Sequence, residues 1–428
     1  MPSTNLNQLL LTAVALSTRL LLLWQGSNEW LGKRIEISTP VNQWMRVREG
    51  TALSTSGSSP YAGDVFHEVP LILYLFEGLH SLGEWAVGIF FVVVDLLVAV
   101  CLAQIATSHR SRQISRQQSS SGEYGKGVEA ILVKEDNSLP LFVALVYLLN
   151  PYSIVTCAGF STITLTNLSV TAALSTKLRG HEVLSSLCLC VAAYLSLYPA
   201  VLIFPFMIMS YRDGCVFGAG KQLCLMVCWS AVLLGGSAWV MGSWDFMQAV
   251  YGVMLSVPDQ TPNLGLFWYF FTETFEHFRI FFLCVFQMNA FIYVIPLTIR
   301  FSDHPVFLTY ILLSVTTLFK SYPCLSDLTV PLALLPLWTH TFRYLRYTLV
   351  VVVMFLASSL LCPVLWYLWI HAGSANANFF FAMTLTYSLA QIFLVADVIY
   401  SFLVHQYDLK HGLPRLYQLG KPVKLKLY

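Results

Sequence analysis

Residues Trp85 to Ala106 read WAVGIFFVVVDLLVAVCLAQIA, with Asp95 as the one charge. An α-helix needs about 20 apolar residues to cross the ~30 Å hydrocarbon core of a bilayer. This run predicts such a helix, and much of the chain repeats its character. Of the 428 residues, 57% are hydrophobic and 11% are charged, and mean hydropathy is +0.67. A soluble domain carries roughly 25% charged residues. A chain this poor in charge cannot cover a water-facing surface, which excludes a cytosolic enzyme, a nucleic-acid binder and a disordered scaffold. The expected fold is an all-α polytopic membrane protein. It forms a single multi-span domain of about twelve transmembrane helices over residues 1–428, with re-entrant or interfacial segments.

Upstream lies the apolar run Leu9 to Trp24, interrupted by Arg19. No small-residue cleavage site follows, so it reads as an uncleaved first span. Residues 26–67 are polar and carry Lys33, Arg34, Arg46 and Arg48; a short apolar stretch at 68–83 holds Glu77 and His80. Downstream, the hydrophilic insert 107–138 contains Ser119-Ser120-Ser121-Gly122 and both charge signs. Such composition predicts a mobile loop. Further spans are expected at 140–158, 160–177, 183–198, 199–210, 222–242, 279–300, 305–320, 325–340, 347–370 and 379–404. Pro199 and Pro205 predict a broken or short helix. The 243–278 segment carries Trp244, Tyr251, Trp268 and Tyr269, aromatics of headgroup depth. Pro258 and Pro262 bar one continuous helix there, so an interfacial or re-entrant stretch is expected.

Net charge is +2 and implies no global electrostatic partner. Basic residues set orientation, because they gather on the cytosolic side. Crossings are counted from 107–138 taken as cytosolic. Lys177 and Arg179, Arg212 and Lys221, Arg300, Arg343 and Arg346, and the basic tail at 405–428 then share that side. Lys320 is the exception. If 68–83 does not cross, both termini are cytosolic and 26–67 is lumenal. If it crosses, the N-terminus is lumenal and 26–67 cytosolic. The basic residues of 26–67 lean toward the second arrangement, although Glu36 and Glu49 accompany them.

The ten cysteines are scattered, mostly in apolar runs. No CxxC pair, Cys/His quartet or HExxH spacing exists, so neither a metal nor a cofactor is expected. Asp95 and Glu77 are acids at membrane depth, which mark function or satisfy a neighbouring Arg. Asn150-Pro151 predicts a span kinked or started by proline. Asn167-Leu168-Ser169 is a glycosylation sequon inside an apolar segment and is expected to be unused. The aromatic block around Phe271, Phe275, Glu276 and Phe278 suits an acyl-chain groove or an interfacial helix with snorkelling polar tips. Gly373-Ser374-Ala375-Asn376-Ala377-Asn378 joins two long spans on the non-cytosolic side. It is a tight turn, or a site where Asn376 and Asn378 offer donors and acceptors to sugar hydroxyls or phosphate oxygens. In an extended turn both side chains face the same way.

The chain resembles the subunit U family of the GPI transamidase (phosphatidylinositol-glycan class U). The matching stretches include Ser59-Pro60-Tyr61, Val65-Phe66-His67-Glu68 and Tyr147-Leu148-Leu149-Asn150-Pro151-Tyr152. Others are Ser243-Trp244-Asp245-Phe246, Leu255 to Phe278, Phe319-Lys320-Ser321-Tyr322-Pro323 and Pro363 to Phe380. The resemblance implies a non-catalytic, multi-pass subunit of the endoplasmic reticulum membrane. Its complex would join proprotein C-termini to the GPI lipid. Implied partners are a caspase-like catalytic subunit K that holds the cysteine nucleophile, subunits T and S, and a Gaa-type attachment subunit. The GPI glycolipid and membrane phospholipids are implied ligands, with no nucleic acid. Asn376 and Asn378 would bind the glycolipid. Arg212, Lys221 and Arg300 would hold phospholipid headgroups.

The family is also similar to GT-C membrane mannosyltransferases, so the implied fold is GT-C-like. The alternative function is a glycosyltransferase using a lipid-linked sugar donor. Those enzymes carry paired acids in the first lumenal loop. Here Ile37 to Trp44 has none, and Asp64 and Glu68 follow Ser59-Pro60-Tyr61 instead. That departure implies a glycolipid-binding scaffold without catalysis, and the likeness itself favours a lumenal 26–67. A transporter is a third class. Its acids would have to line a path, and no inverted repeat is visible.

Overall fold

The computed structural model describes residues 2–412 except 121, 123, 126–127 and 130, with side chains from Leu10 onward and the backbone of 417–418 and 421–422. The remaining residues of the expected basic tail lie outside the described residues. The chain begins with α1 (Pro2–Trp24), α2 (Asn28–Leu31), α3 (Trp44–Thr55) and α4 (Pro70–Ser81). The apolar run quoted first lies in α5 (Glu84–Ser119). Then follow α6 (Leu139–Leu148), α7 (Pro151–Ala158), α8 (Ile163–Leu178), α9 (Glu182–Leu195) and α10 (Ile203–Met241). Short pieces α11 (Asp245–Met247), α12 (Val253–Ser256) and α13 (Phe267–Glu273) lead to α14 (Glu276–Asn289) and α15 (Val294–Arg300). The chain closes with α16 (Pro305–Phe319), α17 (Thr329–Leu334), α18 (Thr348–Ile370) and α19 (Ala377–His411). The described strands are β1 (Tyr417–Gln418) and β2 (Lys421–Pro422), paired antiparallel.

Among the described residues, five helical stretches are long and apolar enough to cross a membrane: Glu84–Ser119, Tyr198–Met241, Glu276–Arg300, Thr348–Ile370 and Ala377–His411. The pair α6 and α7, bent by 53°, is either a broken sixth span or a re-entrant loop. This is fewer than the expected twelve because many apolar segments are broken before reaching ~20 residues. Asn150-Pro151 both ends one helix and starts the next. Pro151 removes a backbone donor, and Asn150 Oδ1 caps α7 by accepting from Tyr152 N at 3.0 Å. α10 is broken at Gly214 and Cys215, where the backbone leaves helical geometry. Its two halves close on each other so tightly that a Cβ on Gly218 would stand 2.2 Å from Ser210 O. Lys177, 2% exposed, donates to Ser210 Oγ and to Gln222 Oε1 (3.0 Å) and so ties α8 to both halves. The 243–278 segment is a series of short helical pieces separated by an extended stretch at Pro258 to Asn263.

The bundle has two polar ends. At one, Arg112 Nη2 donates to Leu178 O (2.7 Å), Arg116 and Arg212 both reach Asp303 O, and Lys221 pairs with Glu182 (2.7 Å). The insert 107–138 meets the end of α19 here. Its first part continues α5, Gln117 bonds both the N–H and the carbonyl of Val133, and His405 Nε2 meets Ile131 O at 3.0 Å. Val128 and Ile131 pack on Leu409, so the segment expected to be a mobile loop has several of its described residues held in place. At the other end, Arg46 pairs with Asp259 (2.7 Å), Leu325 N donates to Glu36 O (2.9 Å), and Trp44 packs edge-on against Phe76, Phe91 and Phe160. Residues 26–69 belong to this second end. α4, with 12 residues, is about 18 Å long, well short of the ~30 Å hydrocarbon core.

Arg19 and Asp95, each the lone charge of its apolar run, meet in the interior with 0% exposure. Arg19 Nε donates to Asp95 Oδ2 (2.6 Å), Nη1 to Leu148 O (2.8 Å) and Nη2 to Ser153 Oγ (3.0 Å). Tyr147 Oη donates to the other carboxylate oxygen (2.6 Å). A buried charge stripped of its partner costs about 3–5 kcal/mol, whereas apolar replacement of both partners is often neutral. Asp95→Ala is therefore expected to destabilise the chain by about that amount. Arg19→Met combined with Asp95→Leu should restore most of it. Thermal unfolding of the detergent-purified chain measures both; equal stability of Asp95→Ala and the unaltered chain would contradict the role of the pair.

Candidate functional site

The turn between α18 and α19 carries the two asparagines. Gly373 sits at φ +63°, a left-handed conformation that costs glycine little. Ser374 N and Ala375 N both donate to Leu368 O (3.0 and 3.3 Å), closing the end of α18. Asn376 is the N-cap of α19, and its Oδ1 accepts from Asn378 N at 3.1 Å. That cap satisfies a donor which the first turn of a helix leaves open. The extended turn expected from the sequence is not formed, because Asn378 already lies in the first turn of α19. Both asparagines are exposed.

Asn378 Oδ1 accepts a hydrogen bond from Tyr269 Oη of α13. Tyr269 stacks on Phe381 with centroids 4.3 Å apart. Behind it, Trp268 contacts Trp369, Phe380 and Phe381. Its indole Nε1 is buried with no hydrogen-bond partner among the described residues. The site is thus a shelf of aromatic faces edged by two carboxamides. It can hydrogen-bond a polar ligand and stack against its apolar faces. Sequence reasoning does not single out Tyr269 as a partner of the asparagines; it stands only as one aromatic of the interfacial stretch and of the aromatic block before Glu276. It lies 109 positions before Asn378, and no local pattern joins them.

The other expected residues are distributed as follows. Phe271 is buried against Phe267, Phe270 and Phe286, with the Arg279 guanidinium 5.5 Å above its ring. Phe275, Glu276 and Phe278 are exposed at the start of α14, so the four residues of the expected groove do not form one surface. Arg212 pairs with Asp303 (2.6 Å), Lys221 with Glu182, and exposed Arg300 lies over Phe301. Glu36 pairs with Arg34 (3.2 Å). Glu49 and Asp64 are exposed.

A second, enclosed polar site lies at the same end as the shelf. Asn42, Glu68, Thr162, Thr166, Ser196 and Lys320 line a cavity of about 20 Å³, room for one water. The Thr162 hydroxyl donates to Glu68 Oε1, and Lys320 Nζ pairs with Asp327 (2.7 Å). Glu68 precedes α4, outside the membrane-spanning helices. Burial pushes its carboxyl up to about 8, against the opposing hydrogen bond from Thr162. No group of three or more metal-ligating side chains is present among the described residues.

These features define a class: a predominantly helical, multi-span membrane protein with an uncharged aromatic–carboxamide shelf at one end. The family model for GPI transamidase subunit PIG-U matches residues 12–387. The chain is 40% identical to the human GPI-anchor transamidase component PIGU, covering 94% of this chain and 95% of the relative. It is 29% identical to the GPI transamidase component GAB1 of Saccharomyces cerevisiae, covering 92% of each. The chain belongs to the GPI transamidase subunit PIG-U family.

The Glu68 environment has a pH consequence. A carboxyl whose folded-state pKa is raised binds more protons folded than unfolded, so stability falls as pH rises. The expected window runs from the ordinary carboxylate range to about 8. Glu68→Gln keeps an acceptor for Thr162 and should flatten this slope in thermal unfolding between pH 5 and pH 8. It should also leave GPI attachment intact. An unchanged slope would contradict the assignment.

Proposed function

We propose that this chain is a non-catalytic subunit of a GPI transamidase complex in the endoplasmic reticulum membrane. It binds the polar head of the GPI lipid and presents it for attachment to the C-termini of proproteins. The observation that carries this reading is the exposed Asn376–Asn378 turn beside Tyr269, in a chain related over 94% of its length to a component of that enzyme. Neutral amides suit glycan hydroxyls and phosphate oxygens without fixing charge at a reacting centre. Aromatic faces at Tyr269 and Phe381 offer stacking surfaces for sugar rings, and exposed Phe275 and Phe278 offer apolar surface to acyl chains. The scaffold is read as a GT-C-like bundle of about twelve membrane segments, several of them short or broken. The insert 107–138 and the tail at 405–428 are read as cytosolic and the shelf as lumenal.

The engagement of two acids near the first lumenal loop, Glu36 and Glu68, supports a binding role over glycosyl transfer. Glu36 is held by Arg34, and buried Glu68 accepts from Thr162. The chemistry of transamidation then lies with partners: the caspase-like subunit K holds the nucleophile, and subunits T and S and the Gaa-type subunit complete the complex.

Asn378→Leu keeps the Asn376 cap but removes the amide, and Tyr269→Phe removes its hydroxyl partner. A hydrogen-bonding group deprived of its partner costs about 1–3 kcal/mol, and 1.4 kcal/mol is tenfold in affinity. The double variant should therefore lower surface display of a GPI-anchored reporter roughly tenfold or more, with pull-down of the other subunits unchanged. Asn376→Ser, which preserves a capping oxygen, separates helix capping from ligand binding. Normal anchoring by the double variant in an intact complex would overturn the proposal.

A further inference from the structure

Where the insert 107–138 closes on the bundle, the last turns of α5 and of α19 meet the tight helical stretch Leu335–Tyr344. His340 of that stretch and His405 of α19 lie edge to face, with ring centroids 4.8 Å apart and an interplanar angle of 67°. His405 Nε2 meets Ile131 O at 3.0 Å. A carbonyl only accepts, so Nε2 carries the proton and Nδ1 the lone pair. His340 Nε2 stands 3.4 Å from the side-chain amide of Gln113 in α5. Gln113 Oε1 is buried with no partner among the described residues. An amide turned to bring Oε1 to this contact accepts the His340 Nε2 proton and leaves that Nδ1 lone pair free as well. Both Nδ1 atoms are buried and have no hydrogen-bond partner among the described residues. Asp408 follows His405 by one turn on the same face of α19. It accepts from Tyr344 Oη at 2.8 Å. α19 has 35 residues and is about 52 Å long, so its last turns reach past the ~30 Å hydrocarbon core.

We propose that His340 and His405 together bind one zinc-class transition ion through their Nδ1 atoms, with water in the remaining positions. Three observations converge. Two imidazoles held at about 2.0–2.1 Å from one tetrahedral ion have ring centroids roughly 5 Å apart, and these two stand at 4.8 Å. Each ring has an oxygen within reach of its Nε2, Ile131 O for His405 and the Gln113 amide for His340. Such contacts fix the tautomer and orientation of a ligating histidine. Buried nitrogen lone pairs require a partner, and imidazole selects zinc and its neighbours over magnesium or calcium. The Asp408 carboxylate beside His405 offsets part of the ion's charge. With two protein ligands, the site is open and exchangeable, unlike a closed structural zinc site. Its consequence is a clasp. His405 already holds Ile131, so the ion ties the insert, residues 335–344 and α19 to one another.

The experiment uses the full chain, purified in detergent, stripped with a chelator and dialysed to equilibrium against Zn²⁺. The unaltered chain should take up about one more equivalent than His340→Ala or His405→Ala. Gln113→Leu removes only the outer contact and should weaken that uptake about tenfold or more. His405→Cys exchanges one zinc ligand for another and should keep the equivalent, an outcome that misfolding cannot produce. Zn²⁺ should slow amide hydrogen exchange at Ile131 to Val133 in the unaltered chain, and Mg²⁺ should not. In His340→Ala, which keeps the contact of His405 with Ile131, Zn²⁺ should leave that exchange unchanged. Equal uptake by the unaltered chain and both alanine variants would mean adventitious surface binding only and would overturn the proposal. Uptake lost in His405→Ala but retained in full by His340→Ala would place the ion elsewhere and overturn it equally.

Discussion

The constraint on which the structure depends is that a charge cannot remain unpaired in an apolar interior. Arg19 and Asp95 lie in separate apolar runs 76 residues apart, and each satisfies the other at 2.6 Å. A guanidinium has more donors than one carboxylate can use. Arg19 therefore also takes Leu148 O and Ser153 Oγ. Leu148 is available because the last carbonyls of a helix have no helical partner, and α6 ends there. The Asn150-Pro151 break thus supplies an acceptor to the ion pair. Through this network α1, α5, α6 and α7 are fixed relative to one another.

That fixed group determines what the far end can build. The polypeptide leaving α1 stays at that end, where Asn42, Glu36 and Glu68 contact the loops before α8 and around Cys324 to Leu325. The neighbouring cluster of Ile35, Leu264, Trp268, Leu328 and Phe380 carries α13 against α19. Tyr269 thereby reaches Asn378. The aromatic–carboxamide shelf is the surface of a contiguous packed assembly, and a rigid support lowers the ordering cost of binding any flexible ligand.

Much of this was legible in the sequence, and the exceptions have physical causes. The continuous apolar run of α5 identified a membrane helix, and the solitary Arg19 and Asp95 were visible as charges in need of a partner. Their pairing was not, because no periodicity links positions so distant. Asn150-Pro151 was legible as a break since both its effects are local. The Gly373 to Asn378 segment was recognised as a candidate, but Asn376 followed by an apolar run is also an N-cap signal, and that signal sets its conformation. In the 107–138 insert, Val128, Ile131 and Val133 stand isolated amid polar neighbours and carry no periodic signal; they are buried, two of them against Leu409. At the break of α10 at Gly214 and Cys215, Gly218 closes on Ser210 O, an approach that composition does not announce.

The central claim is that the glycolipid head rests on the shelf formed by Tyr269, Asn376 and Asn378. Its most direct test is photo-crosslinking in the membrane-embedded complex, using a GPI analogue with a diazirine on the glycan, followed by peptide mapping. The account predicts crosslinks within residues 267–273 and 374–383, competed by unlabelled GPI. Competable crosslinks confined to other parts of this chain, or to other subunits, would contradict it.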